Sequence, residues 1–210
     1  MNENETRHHL VTQAASLFAR GFSVGSAGNI SVKLEDGYLI TPTNSCLGRL
    51  EAGRLSKLDR SFHHIGGDKP SKEVFMHRAF YNARPSAMAV VHLHSTMATA
   101  VACLPDVNEA NPIPPLTPYF VMRVGRTMPV VPYYRPGDAA MEPAIRTAAR
   151  DARAVLLANH GPVVSGRSLS DAVYAAEELE EAAKLFLLLR AASPRLLDTA
   201  QVDDLLKTFG

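Results

Sequence analysis

The sequence predicts an α/β chain in which helices and hairpins surround a mostly antiparallel sheet. Three observations carry that expectation. Apolar side chains recur at helical spacing near both ends of the chain, apolar runs too short for helices occupy 87–94 and 154–158, and a strand–turn–strand pattern surrounds Asp36-Gly37.

In chain order, residues 5–20 place Leu10, Ala14, Leu17 and Phe18 on one helix face, and Gly21 follows where a C-terminal capping glycine belongs. "GFSVGSAGNISVKLEDGYLITPT" reads as a Gly-rich loop followed by a hairpin, with Ile30, Val32 and Leu34 alternating ahead of Asp36-Gly37, a favoured two-residue turn. "DKPSKEVFMHRAFYNARP" opens a helix at Ser71 or a neighbour, carries Val74, Phe75 and Ala79 on its apolar side, and stops before Pro85. "AMAVVHLH" suits a buried strand, and Ser95 then caps a helix over "STMATAVACL". Pro105, Pro112, Pro114, Pro115 and Pro118 keep 103–118 irregular, and long loops of this kind are often functional or interfacial. "ARAVLLANHGPVVSG" supplies a second buried strand over 154–158, closed by "NHGP". A long amphipathic helix begins at Ser168 or Ser170, and the last ten residues add a short one. No repeat, low-complexity stretch or linker interrupts this order, so the expectation is one domain over 1–210.

Bulk properties narrow the function. A chain of 210 residues with 46% apolar and 20% charged side chains can bury a substantial core. Its net charge of +1 provides no strong field for nucleic acid or an anionic membrane, and neither is expected as a partner. "MNENETRHHL" lacks the apolar core of a signal peptide, and no stretch approaches the roughly 18 apolar residues of a membrane span, so a cytosolic protein is expected. Cys46 and Cys103 form no CxxC pair, and reduced thiols are the simple reading.

The chemistry concentrates in histidine. In a strand, residues i and i+2 project from one face about 7 Å apart, so His92 and His94 can point at one ion while Leu93 enters the core. With eight histidines in the chain, such a pair arises by chance in roughly one chain in four, so the pair alone is equally readable as structural. His160 shifts the balance, because it too ends an apolar run, where Gly161 and Pro162 force a turn. Three neutral imidazoles form the usual open catalytic zinc site, with room for a further ligand, whereas a structural zinc usually recruits cysteine and closes all four positions. Glu73, beside a helix start, is the acid suited to complete the set; first-turn acids also serve simply as partners of the helix dipole. The loop "GSAGNIS", with Gly28 and Asn29, offers backbone N–H groups and an amide, and Thr43, Asn44, Ser71 and Lys72 add the hydroxyls, amide and cation that a phosphate needs. His8, His9, His63, His64 and His77 read as solvated, as does "EELEE"; Leu179, Leu185, Phe186 and Leu189 read as core or subunit packing.

"SAGNIS", "TPT", "PSKE", "HLHS" and "ANHG" follow one another in the order and spacing of the class II aldolase/adducin family, and the chain resembles its fuculose-phosphate aldolase branch over nearly its whole length. The resemblance implies a three-layer α/β/α fold with a central, mainly antiparallel sheet, and a homotetramer with active sites between subunits. Carried over by position, it makes His92, His94 and His160 ligands of one Zn²⁺ per subunit, another divalent ion being the alternative. Glu73 becomes ligand and acid/base, and Gly28, Asn29, Thr43, Asn44, Ser71 and Lys72 become phosphate contacts. The aldolases often have Gly and Ser where this chain has Asn44 and Lys72, so the phosphate end departs from the pattern. "PPLTPYFVMRVGRTMPVVPYYRPGD" resembles the 3-oxo-tetronate 4-phosphate decarboxylase subgroup of four-carbon sugar-acid catabolism, and there Tyr119 would be a proton donor or orienting hydroxyl lent by a neighbouring subunit. The implied reaction is zinc-dependent loss of CO₂ from a sugar-acid phosphate to give dihydroxyacetone phosphate. Retro-aldol cleavage of a ketose 1-phosphate passes through the same enediolate and is the rival, and a non-catalytic adducin-like module is a third reading that the retained histidines and Glu73 oppose.

Overall fold

A computed structural model describes residues 2–209. Its centre is an eight-stranded sheet in the order β4-β3-β2-β1-β5-β8-β7-β6. The strands are β1 (Asn29–Lys33), β2 (Gly37–Ile40), β3 (Ser56–Asp59), β4 (His64–Gly66), β5 (Ala89–His92), β6 (Val130–Val131), β7 (Ala154–Leu157) and β8 (Gly161–Gly166). Every neighbouring pair is antiparallel except β6 with β7. The mainly antiparallel sheet expected from the sequence is therefore present.

Helices cover both faces. On one side α1 (Glu3–Ala19), α3 (Thr96–Ala102), α4 (Pro118–Val124) and α6 (Leu169–Leu189) enclose a core that includes Leu10, Ile30, Val91, Leu93, Phe120, Leu156 and Leu179. On the other, α2 (Val74–Ala83) and α5 (Glu142–Ala148) bury Met76, Phe80, Val90, Ile145, Val155 and Val163. A last helix, α7 (Thr199–Phe209), packs beside α4. Alternation along β5 divides the layers: Val91 and Leu93 enter the first core, while Val90 and His92 face the α2 side. Because β5 is covered on both faces, it reads as a continuous apolar run rather than as an alternating one.

Several boundaries follow from local chemistry. Asn2 and Glu5 form a reciprocal capping box for α1, each side-chain oxygen accepting a backbone N–H at 2.9 Å, and Gly21 lies just past the helix at φ 81°. The β1–β2 turn occupies Glu35 and Asp36, one residue earlier than the sequence predicts. Gly37 opens β2 opposite Asp59 of β3, which passes so close that a Cβ on the glycine would lie 2.0 Å from the Leu58 carbonyl oxygen. Ser168 caps α6 as expected, its hydroxyl accepting the Asp171 N–H. Ser95 occupies the cap position of α3, yet its side chain makes no capping bond. Glu180 of α6 does that work, accepting the N–H groups of Met97 at 2.7 Å and Ala98 at 2.8 Å, so "EELEE" is not simply a solvated face. Neither cysteine is in a disulfide, and among the described residues no helix is long and apolar enough to cross a membrane.

Candidate metal centre

The β5–α3 junction and the β7–β8 hairpin turn meet at one end of β5. The strand carries His92 to its last residue and His94 two positions on, and the β7–β8 turn brings His160 alongside. The turn is tight: Asn159 takes a left-handed φ of 55°, and Gly161, at φ 152°, leaves no room for a Cβ, which would lie 2.4 Å from the Leu93 carbonyl oxygen. Gly28 allows a similar approach on the β1 side, where a Cβ would be 2.9 Å from the His92 carbonyl oxygen. These glycines let the chain segments that carry the histidines close on one another.

The result is a convergent set of imidazoles. His94 Nε2 lies 3.1 Å from His92 Nε2 and 3.1 Å from His160 Nε2, with the rings edge-on at centroid separations of 4.7 to 4.9 Å. An ion with about 2.0–2.1 Å bonds to tetrahedral nitrogens spaces them about 3.3–3.4 Å apart, so the set fits such an ion closely. Protonation agrees. His92 Nδ1 is 2.9 Å from the Pro162 carbonyl oxygen, which can only accept, so the proton sits on Nδ1 and Nε2 presents its lone pair. Burial pushes His92 well below the ordinary imidazole range, helped by its two ring neighbours, and brings His94 down to about 4. Burial also lowers His160, partly opposed by Glu73. Neutral rings are what a metal requires of histidine.

Glu73 stands across from them at the N-terminal boundary of α2. Its Oε2 is 3.7 Å from His92 Nε2 and its Oε1 3.7 Å from His160 Nε2, within reach of an ion shared with the rings. Ser71 does not cap the helix, which starts at Val74; its hydroxyl instead accepts the Glu73 N–H at 3.2 Å.

A cleft of about 480 Å³ opens from this centre. Gly28, Asn29, Thr43, Asn44, Ser71 and Lys72, the expected phosphate contacts, line it together with Glu73, His94 and His160. Asn44 holds a left-handed φ of 56° there. Pro136 and Gly137, from "YYRPGD", form another part of its wall. Asn29 is less free than its neighbours: its amide donates to Glu73 Oε2 at 2.8 Å, and its carbonyl lies 2.5 Å from His77 Nε2. His77 is a correction to the sequence reading. It is 1% exposed rather than solvated, because α2 packs against both the sheet and the neighbouring α5 and buries more than the one face that its apolar spacing reveals. Tyr119 is not brought to the cleft. It is 62% exposed on α4, in the opposite layer from α2.

The sequence profile of the class II aldolase and adducin N-terminal domain matches residues 8–187. This chain belongs to the class II aldolase/adducin family. Among its relatives, a 3-oxo-tetronate 4-phosphate decarboxylase of Pectobacterium atrosepticum is 50% identical over 97% of this chain and 94% of that protein. An L-fuculose phosphate aldolase of Escherichia coli is 32% identical over 100% of this chain and 98% of its own length. The crystal structure of YgbL from Klebsiella pneumoniae superposes with a TM-score of 0.94 at 50% identity, over 98% of this chain and 99% of that one. The family's fold is thus the fold seen here, and the three imidazoles form a set able to hold the metal on which class II aldolases depend.

Proposed function

We propose that this class II aldolase-family chain is a cytosolic, metal-dependent carboxy-lyase with one catalytic domain, converting a 3-oxo-tetronate 4-phosphate to dihydroxyacetone phosphate and CO₂. The observation that carries this reading is the joining of three imidazoles with converging Nε2 atoms and a carboxylate to a cleft lined with hydroxyl, amide and ammonium donors. The half-identical decarboxylase relative selects the substrate class.

His92, His94, His160 and Glu73 would hold a divalent ion, Zn²⁺ being suited to such a donor set, and it would supply positive charge against the electrons released when the carbon–carbon bond breaks. The protein's own groups do the rest. Thr43, Asn44, Ser71, Lys72 and the Gly28 backbone hold the phosphate at the open end of the cleft and so fix which carbon reaches the histidines. With the ketone β to the carboxylate, loss of CO₂ leaves an enediolate, and a proton delivered to the carbon that lost CO₂ gives the hydroxymethyl ketone product. Glu73, directed by Asn29 and facing the histidines, is the group placed to take that proton from water and pass it to the carbon. In a homotetramer with sites between subunits, Tyr119 of a neighbour would add an orienting hydroxyl, and its exposure outside its own cleft supports that role.

Retro-aldol cleavage of a ketose 1-phosphate remains the second reading, favoured by the full-length likeness to the fuculose-phosphate enzyme. The test is direct: metal-loaded protein should release CO₂ from 3-oxo-tetronate 4-phosphate and lose that activity with a chelator. No CO₂ from fully loaded protein would reject the proposal.

A further inference from the structure

Behind Glu73 a buried line of polar side chains runs inward from Asn29 at the cleft wall, and neither the metal centre nor the phosphate cleft accounts for its inner members, His77, Ser31 and Tyr81. Strand β1 places Asn29 and Ser31 on the face toward α2. The helix segment places Glu73, His77 and Tyr81 at successive four-residue steps, a single stripe lying over that face. The stripe and the strand interlock through four bonds. Tyr81 Oη is 2.8 Å from Ser31 Oγ, Ser31 Oγ is 2.7 Å from His77 Nδ1, His77 Nε2 is 2.5 Å from Asn29 Oδ1, and Asn29 Nδ2 is 2.8 Å from Glu73 Oε2.

The direction of every bond can be worked out from the carboxylate end. A carboxylate oxygen accepts, and Asn29 presents its NH₂ to Glu73 Oε2 and its carbonyl to His77 Nε2. That carbonyl also only accepts, so His77 Nε2 carries the proton. Burial holds His77 neutral, bringing it down to about 3, so Nδ1 is an acceptor and takes the Ser31 hydroxyl proton. Ser31 Oγ in turn accepts from Tyr81, whose phenol is pushed upward by burial and stays protonated. All four donors point the same way, toward Glu73.

We infer that His77 is a positioning residue for the reaction, fixing the Asn29 amide so that its N–H rather than its carbonyl meets the Glu73 carboxylate. Turned over, the amide would set N–H against N–H at His77 and carbonyl against carboxylate at Glu73, so the two ends forbid the flip together. One oxygen of Glu73 is thereby tied to a neutral donor, and the carboxylate is aimed at the histidines and the cleft. Ser31 and Tyr81 pin the His77 tautomer, which makes them weaker contributors with distance along the line. The inference rests on Glu73 being the proton-transfer group.

The metal-loaded enzyme and three variants test it, using whichever of the two sugar phosphates the wild type turns over. A failed substrate assignment therefore leaves this test intact. His77→Leu should lower kcat about tenfold or more, with KM within about twofold and metal content unchanged, whereas His77→Gln, which can still donate to Asn29, should recover most of the rate. Ser31→Ala should cost less than His77→Leu. Ring-nitrogen NMR of the wild type needs no turnover and should find His77 neutral with its proton on Nε2. A proton on Nδ1, a charged ring, an unchanged kcat in His77→Leu, or a loss of rate that tracks loss of metal and is not relieved by glutamine would each overturn the inference.

Discussion

The proton on His92 decides what the neighbouring rings can do together. With Nδ1 committed to the Pro162 carbonyl, Nε2 offers a lone pair toward His94 and His160, and removal of the His94 ring that lies between the other two leaves only two rings and Glu73 to hold an ion, a weaker set. His94→Ala should therefore lose bound metal and activity together while keeping its fold, which metal analysis beside circular dichroism would check. Metal retained at one equivalent would remove His94 from the ligand set. Glu73→Gln keeps the shape and the Asn29 contact but cannot exchange a proton, and its kcat should fall about 10²- to 10⁴-fold with the protein still folded. A glutamine variant working at the parent rate would mean that Glu73 has another task. At this scale the sequence shows His92, His94, His160 and Glu73, because imidazoles ending apolar runs and an acid at a helix start carry local signatures. It hides the line from Tyr81 to Asn29, since nothing local says that β1 lies beneath α2, and without that pairing His77 reads as one more surface histidine.

Elements hold the centre in place through a few backbone approaches. Gly161 is the sharpest of them, since a methyl group there would meet the Leu93 carbonyl oxygen in the strand that leads to His94. Gly161→Ala should cost about 2–4 kcal/mol of stability and weaken metal binding, as the β7–β8 turn moves away from the end of β5. Denaturant unfolding and a metal titration would measure both, and an unchanged variant would show that the turn has slack. The burial of α2 has a second consequence. His77 is uncharged in the folded protein down to about pH 3 but has an ordinary pKa of 6.5 when unfolded. The unfolded chain binds the extra proton, so stability from this group is complete above pH 6.5 and falls as pH drops toward 3, by about 1.4 kcal/mol per pH unit. His77→Gln should flatten the fall of melting temperature on acidification; identical slopes for variant and parent would contradict the assignment of a neutral buried ring. The principal helices and the β1–β2 hairpin were legible from periodicity and caps. The short polar strands β3 and β4 at one end of the sheet were not, because their residues alternate too briefly to distinguish from loop, and β8 was masked by the turn signal of the "NHGP" that opens it.

Across the whole molecule, the sheet divides the labour. The α2 face carries the histidines, Glu73 and the polar line, while the opposite layer carries Tyr119, whose ring is exposed and remote from its own cleft. In the tetrameric reading, Tyr119→Phe should keep metal and fold but reduce kcat, and dilution to separate subunits should have the same effect on the parent. Sedimentation paired with rate measurements would check it, and a fully active monomer would rule out a lent tyrosine. The fold as a whole was readable in the order of its motifs; the choice between two reactions was not, because both release electrons into the same grouping of atoms and use the same ligands. The decisive measurement is kcat/KM for 3-oxo-tetronate 4-phosphate and for a ketose 1-phosphate on one metal-loaded preparation. A large preference for the acid phosphate, with CO₂ and dihydroxyacetone phosphate formed in equal amounts, is the expected result. Preference for the ketose phosphate, with an aldehyde as the second product, would contradict it.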